Sequence, residues 1–160
     1  MSSLISFGFF AVAEGIREAV QKPGSSSTTY YCFYTTSVQC SSGVSLPAKL
    51  QVYSPFNDII LEDNTVVFAI FRAYFLPTQN STILLDALHF CALPGDPKDD
   101  DYEASHLPDC PIPFVIGVGS VPFRHEMLSD KVSKAFSVVC SEFIRDGMKT
   151  STVQYVFHSP

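Results

Sequence analysis

The sequence predicts a mainly β chain, an antiparallel barrel or sandwich of six or seven strands preceded by an N-terminal helix. Three observations predict it. β-Branched and aromatic runs recur between residues 30 and 158, with apolar side chains alternating along them. Clusters of Pro, Gly, Asn and Asp separate the runs. No helical apolar period lies between successive runs, so consecutive strands are expected to pair antiparallel, and closure would hide their open edges.

The clearest strand is Thr65 to Phe75. Val67, Ala69, Phe71, Ala73 and Phe75 share one face and are expected in the core. Val66, Phe68, Ile70, Arg72 and Tyr74 share the other, which reaches solvent at its Arg72–Tyr74 end. A second strand, Thr82 to Cys91, follows a hairpin-length loop from Pro77 to Ser81. Tyr30 to Val38 and Lys49 to Tyr53 have strand composition. In the run from Pro113 to Leu128, Gly117 and Gly119 mark a bulge, a bend or a close backbone approach. Lys134 to Arg145 and Ser151 to His158 complete the set, with the turn between them at Asp146 to Thr150.

The first residues are different. Leu4 to Ala13 is apolar, Glu14, Arg17, Glu18 and Lys22 bring charge, and Pro23-Gly24 stops the pattern. This predicts an amphipathic helix within residues 1–22, a linker over 23–29 and one β domain over 30–160. The apolar run is too short to span a bilayer and has no basic residue before it, so neither a membrane span nor a secretory signal is expected. The helix is a candidate contact for a protein partner or a second copy of the chain.

Hydrophobic residues make up 46% of the 160 residues and charged ones 16%, which excludes a disordered chain. The net charge of −6 argues against a basic nucleic-acid-binding surface over the whole chain. The acid is concentrated, however, with Asp96, Asp99, Asp100, Asp101, Glu103 and Asp109 set against Lys98 alone. Beyond it, Arg124, Lys131, Lys134, Arg145 and Lys149 slightly outnumber Glu126, Asp130, Glu142 and Asp146 and leave room for a small basic patch. The five cysteines, at 32, 40, 91, 110 and 140, form no C-x-x-C and read as reduced thiols of an intracellular protein. The alternative is a small secreted protein with Cys32 paired to Cys40, in which the sequon Asn80-Ser81-Thr82 would matter.

FVIGVGSVPFRHE, KAFSVVCSEFIRD and STVQYVFH, within Pro113 to His158, resemble the opening three strands of an oligonucleotide/oligosaccharide-binding (OB) barrel, which often begin with a glycine-bent strand. The resemblance implies an OB-like barrel whose remaining strands come from residues 65–91. DNTVVFAIFRAYFLP, ILLDALHF, PGDP and FVIGVGSV are similar to recurring elements of uncharacterised fungal proteins, a resemblance that implies no activity.

The motifs of catalysis and metal binding are missing. DPKDDDYE lacks the EF-hand spacing, and His89, Cys91, His106 and Cys110 match no zinc template. There is no G-x-S-x-G, no P-loop and no dinucleotide fingerprint around Gly117 and Gly119. No enzyme activity, metal or cofactor is expected. The suggestive set is Arg72, Tyr74, Phe123, Arg124, His125, Phe143, Arg145 and Tyr155, where aromatic rings interleave with cations. On one sheet face they would form a stacking platform for single-stranded nucleic acid, while in the other reading Phe123, Phe143 and Tyr155 belong to the core. The function expected is thus a non-enzymatic binding module for single-stranded nucleic acid, with a protein-interaction module as the alternative.

Overall fold

A computed structural model describes residues 2–21, 26, 28–75, 82–109 and 111–158. The elements are β1 (Ser3–Gln21), β2 (Thr28–Gln39), β3 (Ser45–Tyr53), β4 (Thr65–Tyr74), β5 (Ile83–Ala92), α1 (Tyr102–His106), β6 (Phe114–Val118), β7 (Glu126–Met127), β8 (Ser133–Ile144) and β9 (Gly147–His158). Strands form within each run expected to form one, but β2 and β3 start earlier, at Thr28 and Ser45, and β9 starts at Gly147, inside the segment expected as a turn, because Ile144 pairs directly with Gly147.

The predicted N-terminal helix does not form. Its residues are β1, a strand of 19 residues. Leu4, Ser6, Phe10 and Val12 are buried on one face, and Ile5, Phe7 and Phe9 alternate with them on the other. Distant partners decide this, because β1 carries ladders to three other strands. Ile5 to Val12 lie opposite Arg72 to Thr65 of β4, Ser3 to Phe7 opposite Val118 to Phe114 of β6, and Ile16 to Gln21 opposite Phe33 to Thr28 of β2. The register with β2 shifts between Ala13 and Ile16, and Glu14 there takes a φ of 54°. This bulge bends the strand so that its two halves serve opposite sides of the barrel. Of the charges that suggested a helix end, Glu14, Arg17 and Glu18 are strand residues and Lys22 lies outside the described residues, and Arg17 donates to Ser54 Oγ and to the carbonyl oxygens of Phe56 and Asp58. No apolar N-terminal helix is available to dock a partner.

β1 closes the barrel. It pairs with β2, β2 with β3, β3 with β5, β5 with β4 and β4 again with β1. Every pair is antiparallel except β3 with β5, which is parallel. Five strands closed in this order form an OB-like barrel. It is built from residues 3–92, and not from the Pro113–His158 stretch on which the OB resemblance rests. That stretch supplies β6 at the edge of the barrel sheet and a separate sheet ordered β7-β8-β9.

Leu4, Phe10, Val12, Cys32, Tyr34, Leu50, Val67, Phe71 and Leu85 fill the core. The β4 pattern holds: Val67, Ala69, Phe71 and Ala73 are buried, Phe75 packs against them, and Phe68, Ile70, Arg72 and Tyr74 lie on the outer side. Val66, although of the outer parity, is also buried. Over its hydroxyl Tyr102 of α1 receives the Val66 N–H (3.3 Å) and donates to the Leu93 carbonyl (3.1 Å), which folds the acidic segment back onto the barrel.

The β8–β9 hairpin runs in unbroken register from Ser133 opposite His158 to Ile144 opposite Gly147. Val138 and Cys140 extend the barrel core, and Ile144 near the tip is 1% exposed. Glu142 fastens the hairpin to β1, accepting from Ser3 Oγ at 3.0 Å and from the Leu4 N–H at 3.2 Å.

Cys32, Cys40, Cys91 and Cys140 are free thiols, so the Cys32–Cys40 pairing is not present. Eight residues of extended chain hold those two about 26 Å apart, far beyond the reach of a disulfide. Cys110 lies outside the described residues.

Candidate ligand-binding face

The alternation of β2 and β3 sends one set of side chains into the barrel and the other outward. Cys32 and Tyr34 of β2 and Leu50 of β3 go inward. Tyr31, Phe33 and Thr35 therefore face out on β2, opposite Tyr53, Gln51 and Lys49 on β3. Tyr31 and Tyr53 meet edge to face at 6.3 Å, and Tyr53 is 62% exposed. Ile16 of β1 lies beside Phe33, and Leu84 and Asp86 of β5 lie beside Lys49 and Gln51. Arg72 of β4 stands next to Asp86.

The tip of the β8–β9 hairpin rests on this face. Arg145, in the turn with a φ of 59°, places its guanidinium carbon 5.6 Å from the centre of the Phe33 ring. Its Nη2 donates to the Lys49 carbonyl at 3.0 Å. Its Nε is buried with no hydrogen-bond partner among the described residues, and burial lowers the pKa of the guanidinium against the opposing pull of Asp86 and Asp146. Guanidinium groups stay charged through such shifts. A cavity of about 300 Å³ beside Phe33 is lined by Glu14, Ile16, Glu18, Thr35, Lys49 and Arg145. The face is thus bipolar, with two carboxylates at its β1 side and two cations at its β3 and hairpin side.

Arg72 joins the barrel to the hairpin through Glu142 (3.2 Å) and Asp86 (3.8 Å), with a long contact to the Phe143 carbonyl (3.5 Å). Burial raises the Asp86 pKa above 3.8, opposed by Arg72 and Arg145 and reinforced by Glu142. A carboxyl whose pKa rises on folding binds its proton more tightly in the native state, so stability increases as pH falls through that interval. In denaturant titrations at stepped pH, wild type should gain stability on acidification just above pH 3.8 relative to Asp86→Asn. Parallel curves for the two proteins would show that Asp86 is not the group responsible.

The predicted site residues fall in four places. Arg72, Phe143 and Arg145 lie together where the hairpin tip meets the barrel, with Phe143 56% exposed on the outer side of the hairpin. Tyr74 follows Arg72 on the outer face of β4, opposite Leu84. Phe123, Arg124 and His125 are exposed in the segment before β7, and Phe123 is 77% exposed. Glu126, next to His125, pairs with Ala135, and ten residues of strand put that position about 33 Å from Arg145. Tyr155 packs against the core, stacked on Phe136 at 5.5 Å. The eight residues do not make one platform. Tyr31, Phe33, Lys49 and Tyr53 were not among them, although the alternation of Tyr31, Phe33 and Thr35 is visible in the sequence.

Elsewhere, a cavity of about 450 Å³ at the end of the barrel is lined by Tyr34, Val52, Ile59, Leu61, His89 and Phe90. The Tyr34 hydroxyl accepts from the Leu61 N–H at 3.1 Å, and burial pushes its pKa well above the ordinary phenol range. Glu62, Asp63, Asp99, Asp100 and Glu103 line an acidic hollow. Among the described residues no group of three or more His, Cys, Asp or Glu side chains is placed to hold a metal ion, and no helix is long and apolar enough to cross a membrane.

No family model matches the chain, and no curated protein does, so the resemblance to fungal sequences gains no support. Among solved structures the chain is similar to a deletion mutant of the single-stranded DNA binding protein from Thermus aquaticus. The identity is 10% and the TM-score 0.49, over 98% of this chain and 75% of that one.

Proposed function

We propose that the chain is a non-enzymatic OB-like binding module that takes single-stranded nucleic acid across the outer face of β2 and β3. The observation that carries this reading is the outward row of Tyr31, Phe33 and Tyr53 with Lys49 beside it, on the strands that OB barrels use for oligonucleotides. Bases stack on aromatic rings with little regard to sequence, at about 1–3 kcal/mol each. Lys49 is exposed and makes no ion pair among the described residues, so its ammonium can meet a phosphate. Glu14 and Glu18 repel the backbone from the β1 side, so the phosphates run along the β3 side and the bases lie inward over the rings. The acid in residues 96–109 further confines the ligand to this face and accounts for a binder with a net charge of −6.

Fluorescence anisotropy with a labelled oligothymidylate tests the proposal. Tyr53→Ala should weaken binding roughly 5- to 150-fold, the loss of one stacked base. Lys49→Ala should weaken it less and flatten the plot of log affinity against log salt by about 0.7. No binding at low salt, or binding that both variants leave untouched, would refute this function.

A further inference from the structure

We infer that Arg145 is a gate on the aromatic face: its guanidinium occupies the place on Phe33 where a base would stack, and an incoming strand displaces that side chain and engages it as a phosphate contact. The inference rests on the nucleic-acid reading above and specifies how the same face is controlled.

Phe33 follows Tyr31 on the outward side of β2, at the end of the row nearest the hairpin, and in the free protein it is already covered by the guanidinium 5.6 Å from its centre. A base cannot stack there until Arg145 leaves. What holds Arg145 is limited. One hydrogen bond reaches the Lys49 carbonyl, and the buried Nε has no acceptor among the described residues. A desolvated cation with an unmet donor is incompletely satisfied, and a phosphate offers it two oxygens in the bidentate geometry that guanidinium prefers.

The hairpin itself need not move. Ile144, one residue before Arg145, is 1% exposed, and Val138 and Cys140 are embedded in the core. Glu142 adds its ties to Ser3, Leu4 and Arg72. The turn after Ile144 is open by contrast: Asp146 is exposed and Met148 is 66% exposed. The backbone therefore stays anchored while a long, flexible side chain swings from the ring to the ligand. The ring and the cation are released by the same motion, which converts an intramolecular contact into one stacking site and one phosphate site.

This exchange has a signature that a plain phosphate contact lacks. In Arg145→Ala the ring is permanently uncovered and one cation is gone. The plot of log affinity for oligothymidylate against log salt should become shallower by about 0.7. At high salt, where the phosphate contact is screened, the variant should bind roughly threefold or more tighter than wild type, because no competitor sits on Phe33. The two lines should cross. In wild-type protein, the Arg145 Nε–H resonance should shift on adding the oligonucleotide.

Weaker binding of Arg145→Ala at every salt concentration would make Arg145 an ordinary contact and overturn the gate while leaving the function intact. So would binding by wild type with the Nε–H resonance unmoved. If neither protein binds, the nucleic-acid reading fails and the gate falls with it.

Discussion

Replacing Phe71 by alanine is expected to cost roughly 3–5 kcal/mol of unfolding free energy, the largest effect of any single truncation in the barrel. Phe71 is 1% exposed at the middle of β4 and packs edge to face against Phe10 of β1 at 5.2 Å. It therefore sits at the seam where the barrel closes. The surrounding side chains belong to strands that hydrogen-bond on both edges, and such a frame collapses poorly into a void. Domains of this size are stable by about 5–15 kcal/mol, so the loss removes from about a fifth to nearly all of the stability. Urea titration followed by far-ultraviolet circular dichroism measures the loss. A cost under about 1.5 kcal/mol would mean that the seam repacks, as volume-tolerant cores do.

Gly119→Ala should loosen the hairpin from the barrel at a cost of about 1–3 kcal/mol. A Cβ on residue 119 would lie 2.3 Å from the Val139 carbonyl oxygen and 2.9 Å from Val138 Cγ1. The oxygen is backbone in the middle of β8 and cannot rotate away. It is also engaged, since Ser120 N–H donates to it at 3.0 Å and the Val139 N–H donates back to Ser120 at 2.9 Å. Relief of the clash must therefore break this two-bond bridge. Hydrogen exchange should rise at Ser120 and Val139 while amides of β2 and β3 stay protected. Ser120→Ala, which keeps both backbone bonds, serves as the control and should leave exchange unchanged. Full protection in Gly119→Ala would show that β8 shifts as a unit.

Much of the fold was legible where the signal was local. In β4 the alternation of Val67, Ala69, Phe71 and Ala73 names the buried face directly. Gly117 and Gly119 were readable as points of close approach, and the backbone of β8 and the Tyr155 hydroxyl are what they approach. β1 was not legible, because an apolar run with charge at one end fits both helical and strand periods. The choice between them is made by β4 and β6, whose partners for Phe7 are Ile70 and Phe114. The OB resemblance fell on the wrong segment for a related reason. A glycine-bearing apolar strand looks the same whether it opens a barrel or flanks one. For the site, Arg145 was visible as a cation among aromatic residues, but its ring is Phe33, more than a hundred residues earlier, and only barrel closure and hairpin docking bring them together. Tyr155 carried the same composition signal and is turned inward onto Phe136.

The triple engagement of β1 sets a schedule for synthesis. Phe7 leaves the ribosome before any of its partners exists. Ile70 follows 63 residues later, and Phe114 after 107. Until then Leu4 to Val12 is an unpaired, uncharged strand with both edges open, the kind of segment that seeks a neighbour on another chain. Its growing chain can offer early pairing only through β2 and the half of β1 beyond the bulge, where Arg17 and Glu18 supply charge. This aggregation-prone stretch thus emerges well before the strands that seal it, and nascent chains stalled before β4 should be the ones that depend on a holdase.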